Sequence, residues 1–511
     1  MRPANVYVAL AGSCLVVACP RTESSRPPSG PTGGASFQTT PCPQPNIAGF
    51  PDLDFPSVVQ CGYLTVLENR AKPDGRRIRI FVMRAPAVSA RPRPDPIVYL
   101  SGGPGGAGSF EVASMIKHGL NAEREVIFVD QRGTHRADPL LACPEWEQFL
   151  YDSVGVPFTA ESTTHMDSAA IQACRDRLAA TGVDLAAYNS TENAADIADL
   201  RVALGIDTWN VYGVSYGSRL ALTVLRDHPQ GVRSVILDSV SPATNNIVEN
   251  WWSAPASSFK AIFAACAAQP ACAAAYPNLE ADFTVAVNRL DTKPAIAQVK
   301  DVFGSTVTVN VDGFALAYTV IMASERGDAS GVPRMIADIA RGDPSAVAAA
   351  YLALRGPQEF VGLGGMGLAL TVFCAESANL TTEVATLAKA KAALPGFPDG
   401  VLRVQPKQGR VFTECPIWNV GMAARSVTAP TVSDVPVLIL EGAFDAATAP
   451  EWVGQITRDL KNSQVVAFPF TGHSVLGKSK CALSIVAAFL DNPTKPVDQT
   501  CAAQTTLTFA R

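Results

Sequence analysis

Short apolar runs alternate with helical patterns along most of the chain, and no other feature constrains the fold as strongly. The runs "DPIVYL", "REVIFVD", "TWNVYGV" and "GVRSVILD" each predict a buried strand. The segment "TENAADIADLRVALG" predicts a helix that begins at the cap Thr191 and ends at Gly205. Strands that are apolar on both faces and alternate with helices form a mainly parallel sheet covered on both sides. The sequence therefore predicts an α/β fold.

A long interruption divides this pattern into two parts. Residues 243–430 are alanine-rich and mostly helical in pattern, and two further strand runs, "VPVLILEG" and "SQVVAFPF", follow them. We therefore expect residues 42–242 and 431–511 to form one α/β core, with an inserted, mainly helical cap at residues 243–430. An antiparallel pair of strands, "CGYLTVLEN" and "RIRIFVMRAP", is expected near the start of the core.

The first 19 residues have the pattern of an export signal. Arg2 precedes an apolar run from Val6 to Ala18, which is short for a transmembrane helix and fits a signal-peptide core. The letters "VVAC" resemble a lipobox in which Cys19 would be lipidated, and the alternative is a plain secretion signal. Residues 20–41 are rich in Pro, Gly, Ser and Thr and are expected to form a flexible tether. The predicted location is the periplasm or cell envelope, or otherwise outside the cell.

Ten cysteines follow Cys14 and Cys19 of the leader. An even number of cysteines behind an export signal predicts disulfides formed in an oxidising compartment. The sequence does not fix their connectivity; we expect neighbours along the chain to pair, and the alternative is that a few are free buried thiols. The expected pairs are Cys42 with Cys61, Cys143 with Cys174, Cys266 with Cys272, Cys374 with Cys415, and Cys481 with Cys501.

Composition argues against several classes of partner. The net charge is -5 without a long basic run, which argues against a nucleic-acid partner. Five histidines and the lack of any C-x-x-C argue against a metal site. No later apolar run is long enough to span a bilayer, so we expect membrane contact only through a lipidated N-terminus. No oligomeric state is predicted.

The motif Gly213-Val214-Ser215-Tyr216-Gly217 is a G-x-S-x-G. It lies between the strand run "TWNVY" and the helical segment "SRLALTVLRDH". Glycines at these positions permit a sharp strand-to-helix turn that exposes the serine hydroxyl, and the amides of the following helix point at developing negative charge. We therefore predict that Ser215 is a catalytic nucleophile. The alternative is a serine in a structural turn.

The partners of such a serine follow it along the chain in the order acid, then histidine. Of the five histidines only His228 and His473 follow Ser215, and His228 ends the helix that leads away from the turn. His473, in "FTGHS", is therefore the predicted base. Asp445 follows the strand run "VPVLILEG" and is the predicted acid, which would fix the imidazole tautomer. Glu441 competes for that role, and a turn or helix-cap aspartate is the structural alternative for Asp445.

An oxyanion hole needs backbone amides close to the scissile carbonyl. The loop "SGGPGGAG" follows a buried strand and has few side chains to block the approach of its backbone. We expect one donor to be the amide of Gly103 and the other to be the amide of Tyr216. A phosphate cradle is the alternative for this loop, but it lacks the Lys-Ser/Thr ending of a P-loop. This chemistry requires no metal and no organic cofactor.

Together, "GGPGG" at 102–106, "DQRG" at 130–133 and "GVSYG" at 213–217, with Asp445 and His473, resemble the proline iminopeptidase and tripeptidyl aminopeptidase branch of α/β-hydrolases, serine peptidase family S33. The closing "TGHSVLGKSKCALSIVAAFL" is similar to secreted actinobacterial tripeptidyl aminopeptidases, a group that includes mycobacterial envelope serine hydrolases with lipoprotein leaders. The resemblance implies an α/β-hydrolase fold and the release of short peptides or single residues from a free N-terminus.

The resemblance also implies that cap carboxylates hold the substrate ammonium. Glu376, in "TVFCAESANL", is the candidate for this anchor, and a surface glutamate is the alternative. Asp130 and Arg132 are expected to brace the loops around the site. Ser101 stands where single-residue iminopeptidases usually have His, and His135 stands where Gly is frequent. These two departures argue against specificity for a single proline. His135 is expected either to line the pocket or to have a loop role.

The sequence thus predicts an exported serine hydrolase, an aminopeptidase that uses Ser215, Asp445 and His473. A carboxylesterase acting on small or lipid esters is the alternative, because the same acyl chemistry serves both substrates and a fold does not choose between them. A non-catalytic envelope binding protein on the same scaffold is the second alternative.

Overall fold

The computed structural model describes residues 34–356, 362–405 and 409–510. The predicted leader at 1–19, its Cys14 and Cys19, and residues 20–33 of the predicted tether lie outside these ranges. Within the ranges, no helix has both the length and the apolar character that crossing a membrane requires.

A nine-stranded sheet forms the core, in the order β1-β2-β3-β5-β4-β6-β7-β10-β11, and β8 and β9 form a separate hairpin. The six strands from β5 to β11 are parallel, whereas β1, β2 and β3 add to one edge in antiparallel fashion. The predicted mainly parallel α/β fold is confirmed. The strands are β1 (Ser36–Thr40), β2 (Gln60–Leu67), β3 (Arg77–Ala85), β4 (Ile97–Leu100), β5 (Val126–Asp130), β6 (Trp209–Val214), β7 (Val232–Asp238), β8 (Ala295–Lys300), β9 (Thr306–Val311), β10 (Val437–Gly442) and β11 (Ser463–Phe468).

Helices cover both faces of the sheet. Helices α1 and α17 pack on one face, and α3, α4 and α5 pack on the other. The helices are α1 (Val112–His118), α2 (Pro144–Asp152), α3 (Glu161–Ala179), α4 (Ser190–Ala203), α5 (Tyr216–Asp227), α6 (Ser253–Ala267), α7 (Pro270–Ala275), α8 (Leu279–Thr292), α9 (Gly313–Arg326), α10 (Val332–Ala340), α11 (Ser345–Arg355), α12 (Met366–Glu376), α13 (Glu383–Ala393), α14 (Asp399–Leu402), α15 (Val411–Trp418), α16 (Val453–Ile456), α17 (Lys480–Asp491) and α18 (Thr500–Ala503).

Two local predictions were wrong. The tether was expected to extend to residue 41, but Ser36–Thr40 forms β1 and pairs with β2, because the edge of β2 offers unpaired backbone groups. Gly62 of β2 leaves room for the ring of Phe37, since a Cβ there would lie 2.4 Å from it. The cap of α4 is Asn189 instead of Thr191, because the Asn189 side chain accepts the amide of Glu192.

Helices α6 to α15 and the β8–β9 hairpin lie between β7 and β10, where the sequence predicted a cap. Their apolar core also takes in Phe149 and Phe158, which the sequence assigned to the first part of the α/β core. Conversely, Leu370 of α12 and Trp418 of α15 pack into the core beneath the sheet. Packing therefore crosses the predicted boundaries at 243 and 430 in both directions.

Five disulfides join the expected neighbours. Three of them join two helices, one joins the residue before α2 to α3, and one joins the segment after β1 to β2. The predicted connectivity is confirmed in the structure. The bonds are Cys42–Cys61, Cys143–Cys174, Cys266–Cys272, Cys374–Cys415 and Cys481–Cys501.

Arg132 braces the loop after β5, as the sequence predicted. Its side chain is fully buried, and it donates to both carboxylate oxygens of Asp196 at 2.8 Å. It also donates to the carbonyls of Glu68 and Ala187, at 2.7 and 2.6 Å. One guanidinium thus ties the end of β2 and the middle of α4 to the loop. Its removal would leave Asp196 with Arg70, at 2.8 Å, as its remaining cation, and would leave two buried carbonyls without this donor.

We expect Arg132→Met to lower the free energy of unfolding by about 3 kcal/mol or more, because it leaves Asp196 and two carbonyls with fewer donors. Denaturant unfolding measures this change. Arg79→Met is the matched control, since the Arg79–Asp138 pair is more than half exposed and should contribute less than about 1 kcal/mol. Equal losses in the two variants would contradict the bracing role.

Candidate active site

Ser215 occupies a strained turn between β6 and α5. Its backbone has φ 58° and ψ -125°, a conformation that non-glycine residues adopt only when their surroundings enforce it. Both flanking glycines are required by close backbone approach: a Cβ at Gly213 would lie 2.1 Å from the Gly217 carbonyl, and one at Gly217 would lie 2.0 Å from that of Leu100. The predicted strand-turn-helix setting of Ser215 is confirmed.

The glycine-rich loop after β4 lies against this turn. A Cβ at Gly102 would lie 2.7 Å from the Cβ of Ser215. Gly103 and Tyr216, the predicted sources of the oxyanion-hole amides, line a narrow cavity of about 40 Å³ together with Ser215. The other lining residues are mostly small or apolar: Pro104, Arg219, Ser241, Ile247, Trp251, Val372, Phe373, Ser377, Ala447 and Thr448.

Asp445 and His473 are hydrogen-bonded on neighbouring loops that follow β10 and β11. The Oδ2 atom of Asp445 lies 2.8 Å from Nδ1 of His473, and its Oδ1 atom accepts the amides of Ala447 and Thr448 at 2.8 Å. Burial alone would raise the pKa of Asp445, but the charge and hydrogen bond of His473 and the two amides lower it to about 2. An ionised carboxylate only accepts hydrogen bonds, so Nδ1 carries a proton and Nε2 is available for proton transfer.

The competing residues have other partners. Oε1 of Glu441 accepts the amide of Val240 at 2.8 Å, and burial raises the pKa of Glu441 well above its ordinary value, which favours the neutral form. His228 follows the last residue of α5, at the opposite end of the helix from Ser215. Asp445, and neither of these two, is therefore the residue that the structure brings into hydrogen-bonding contact with the predicted base His473.

Glu376 is buried beneath the cavity instead of facing it. It is 1% exposed; its Oε1 atom accepts the Ser190 amide at 2.7 Å, and its Oε2 atom accepts the Ser190 hydroxyl at 2.8 Å. The Ser190 hydroxyl is also hydrogen-bonded to the Tyr216 hydroxyl at 2.9 Å. These contacts do not support the predicted role of amine anchor, because α12 directs Glu376 at the start of α4. They indicate that Glu376 supports Tyr216 through Ser190.

Two further residues singled out by the sequence lie near the glycine loop. His135 is buried with its ring against Phe110, at 4.9 Å between centroids, and it is not among the residues that line the cavity. Ser101 is buried at the start of the loop. In residues 34–356, 362–405 and 409–510, no group of three or more His, Cys, Asp or Glu side chains is placed to hold a metal ion.

Asp238, at this edge of the sheet, was not predicted from the sequence. It ends β7, and its carboxylate accepts the amides of Val475 and Leu476, which follow His473 by two and three residues. A signal was present, because an acidic residue at the end of a buried parallel strand lies at the edge where catalytic groups collect.

Comparison with known proteins gives one family and several partial relatives. The sequence profile of the alpha/beta hydrolase fold family matches residues 95–478. The chain is 30% identical to tripeptidyl aminopeptidase of Streptomyces coelicolor over 215 residues, which are 40% of this chain and 38% of that protein. It is 28% identical to serine protease Hip1 of Mycobacterium tuberculosis over 254 residues, 47% of each chain. The chain thus spans less than half the length of these curated relatives.

A solved structure of proline iminopeptidase from Mycobacterium smegmatis aligns over 82% of this chain and 96% of its own, with 18% identity and a TM-score of 0.35. A TM-score of this size carries no further inference. The names of the sequence relatives, tripeptidyl aminopeptidase and probable proline iminopeptidase, confirm the resemblance to the hydrolase branch that the motifs indicated.

The low pKa of Asp445 makes part of the stability depend on pH. Because the pKa falls from 3.8 to about 2 on folding, the ionised carboxylate stabilises the folded state above about pH 4, and this contribution disappears as the pH falls towards 2. The shift corresponds to about 2 kcal/mol. We expect the difference in unfolding free energy between wild type and Asp445→Asn to be largest at pH 7 and to shrink towards pH 2. A difference that stays constant over this range would contradict the assigned interaction.

Proposed function

The chain belongs to the α/β-hydrolase family, and on that premise we propose that it is a serine hydrolase in which Ser215, His473 and Asp445 form the catalytic triad. The observation that carries the proposal is the 2.8 Å hydrogen bond between His473 and an ionised Asp445. This hydrogen bond joins the loops that follow β10 and β11, at the sheet edge where the strained Ser215 follows β6.

In the proposed mechanism, the Ser215 hydroxyl attacks the substrate carbonyl while Nε2 of His473 takes its proton. Asp445 holds the imidazole through Nδ1 and stabilises the imidazolium that forms. The amides of Gly103 and Tyr216 donate to the negative oxygen of the tetrahedral intermediate. His473 then protonates the leaving group as the acyl-enzyme forms. Water, deprotonated by His473, attacks the acyl carbonyl and restores the free Ser215 hydroxyl.

We further propose that the substrate is a peptide with a free N-terminus. The support is the resemblance to relatives named tripeptidyl aminopeptidase and proline iminopeptidase. The cavity beside Ser215 is narrow and includes Ile247, Trp251 and Phe373, which favours a small apolar group next to the scissile bond. The departures at Ser101 and His135 continue to argue against specificity for a single proline.

One observation favours a carboxylesterase as the second candidate. The residues that line the cavity in the described part of the chain include no Asp and no Glu. Glu376, the predicted amine anchor, binds Ser190 instead. A neutral ester substrate would not need a carboxylate there, so the same acyl chemistry would serve it.

We also propose that the protein works outside the cytoplasm. Five disulfides fit an oxidising compartment, because disulfides persist there and are rare in the cytosol. Lipidation of Cys19 belongs to this proposal, and mass spectrometry of the mature N-terminus tests it.

Turnover of three matched substrates tests the proposed activity: a short peptide p-nitroanilide with a free N-terminus, its N-acetylated form, and a neutral p-nitrophenyl ester. We expect the free peptide to be turned over with a higher kcat/KM than the acetylated one. Ser215→Ala should lower kcat/KM by about 10⁴-fold or more, because the nucleophile is lost. Ser484→Ala, at an exposed position of α17, is the control and should retain wild-type activity.

Other outcomes separate the candidates. Fast turnover of the ester, with equal and slow turnover of both peptides, would favour the carboxylesterase. No turnover of any substrate by folded protein would contradict the enzyme and favour the non-catalytic binding protein. Retention of wild-type turnover by Ser215→Ala would overturn the triad itself.

A further inference from the structure

We infer that Asp238 is a positioning residue that holds the His473 loop in place above the turn containing Ser215. The inference rests on the proposed triad and adds to it a residue that contacts no substrate. Two sets of contacts carry it: one joins Asp238 to the turn after β6, and the other joins it to the loop after β11.

Asp238 is fully buried at the end of β7, between β6 and β10. Its backbone carbonyl accepts the amide of Ser215 at 2.9 Å. Its carboxylate reaches the other loop, where Oδ1 accepts the amide of Val475 at 2.7 Å and Oδ2 accepts that of Leu476 at 2.9 Å. A single residue therefore contacts both the predicted nucleophile and the backbone that carries the predicted base.

The next residue extends this contact. The Ser239 hydroxyl accepts the amide of Ser474 at 2.9 Å, so the three consecutive amides after His473 are all bound by the last residue of β7 and its neighbour. Ser474 has φ 63° and Ser239 has φ 60°, conformations that non-glycine residues keep only when their surroundings enforce them. The backbone next to His473 therefore depends on these hydrogen bonds.

The Asp238 side chain has the hydrogen-bonding pattern of an anion. Besides the two amides, the Tyr212 hydroxyl donates to Oδ2 at 2.5 Å. Burial raises the pKa of Asp238 above its ordinary value, and these donors and the charge of His473 offset part of that rise. Burial also raises the pKa of Tyr212, of Tyr99 stacked on it, and of Glu441, which favours their neutral forms. Asp238 and Asp445 both interact electrostatically with His473.

The opposite side of the His473 loop is held by the cap. Lys478 donates to the carbonyl of His473 and to that of Glu325 in α9. Gly472 packs directly against the end of α9, since a Cβ there would lie 1.9 Å from the Ser324 carbonyl. The sheet thus holds the loop through Asp238 and the cap holds it through Lys478. Loss of the Asp238 carboxylate would remove two of the three hydrogen bonds that the end of β7 makes to the backbone after His473.

Asp238→Asn tests the inference, because it conserves volume but replaces one accepting oxygen by an NH₂ that faces a donor. We expect kcat to fall about 100-fold, the loss typical of a displacement of about 1 Å in a catalytic group. KM should change less than about threefold, since no substrate contact is lost. The kcat/KM–pH profile should also differ from that of wild type, because a buried carboxylate that binds the His473 loop is replaced by a neutral amide.

Asp312→Asn is the matched control. Asp312 is as buried as Asp238 and also accepts two backbone amides, from Ala315 at 2.8 Å and Thr159 at 3.2 Å, but it lies at the start of α9 in the cap. Asp312→Asn should lower the free energy of unfolding, while kcat and the kcat/KM–pH profile should stay unchanged. If Asp238→Asn does not fold, Ser239→Ala removes the contact to Ser474 and a longer one, at 3.5 Å, to Asp238, and it should lower kcat about tenfold without changing KM.

Reaction with a fluorophosphonate distinguishes a failure of the proposed triad from a failure of the inference about Asp238 alone. Wild-type protein that is not labelled at Ser215 would overturn the triad and this inference together. Labelling at Ser215 that proceeds at the same rate in Asp238→Asn, with wild-type kcat and pH profile, would overturn the inference alone. The same holds if Asp312→Asn and Asp238→Asn lose equal activity, since a general loss of stability would then explain both. A wild-type kcat in Ser239→Ala would also overturn the inference.

Discussion

The parallel register of β6, β7 and β10 is the constraint on which the site depends. Val214 of β6 and Leu440 of β10 both lie opposite Asp238 of β7. The chain leaves all three strands at the same edge of the sheet, so the turn at Ser215 and the loop carrying Asp445 begin about 10 Å apart, two strand spacings across β7. Residues far apart in sequence are thereby brought to the same cavity.

Three acidic side chains lie at the ends of β7 and β10 or just after them, and they differ in their hydrogen-bond donors and in the direction of their pKa shifts. Asp445 accepts hydrogen bonds from His473 and two amides, and with the charge of His473 these lower its pKa despite its burial. Asp238 receives two amides and a tyrosine hydroxyl. Glu441 accepts a hydrogen bond from a single amide, and burial raises its pKa. Contact with His473 lowers the pKa of Asp445 below its ordinary value, whereas burial raises the pKa of Asp238 and raises that of Glu441 well above its ordinary value. Only the first of the three binds the imidazole directly.

The features that were predictable from sequence are those with a local signal. The apolar runs predicted the strands of the parallel sheet, the glycine spacing predicted the turn at Ser215, and chain order singled out His473. Features set by distant packing were not predictable. The direction of Glu376 depends on where α12 meets the start of α4. The strand at Ser36–Thr40 depends on a free edge at β2, and its polar residues gave no sign of it.

A crystal structure of the protein after reaction with a fluorophosphonate tests the central claim most directly. The account predicts phosphorus bonded to Oγ of Ser215, with the phosphoryl oxygen about 2.7–3.1 Å from the amides of Gly103 and Tyr216 and with His473 next to Oγ. A phosphonate attached to another residue would contradict the account. So would an adduct on Ser215 whose phosphoryl oxygen points away from those two amides.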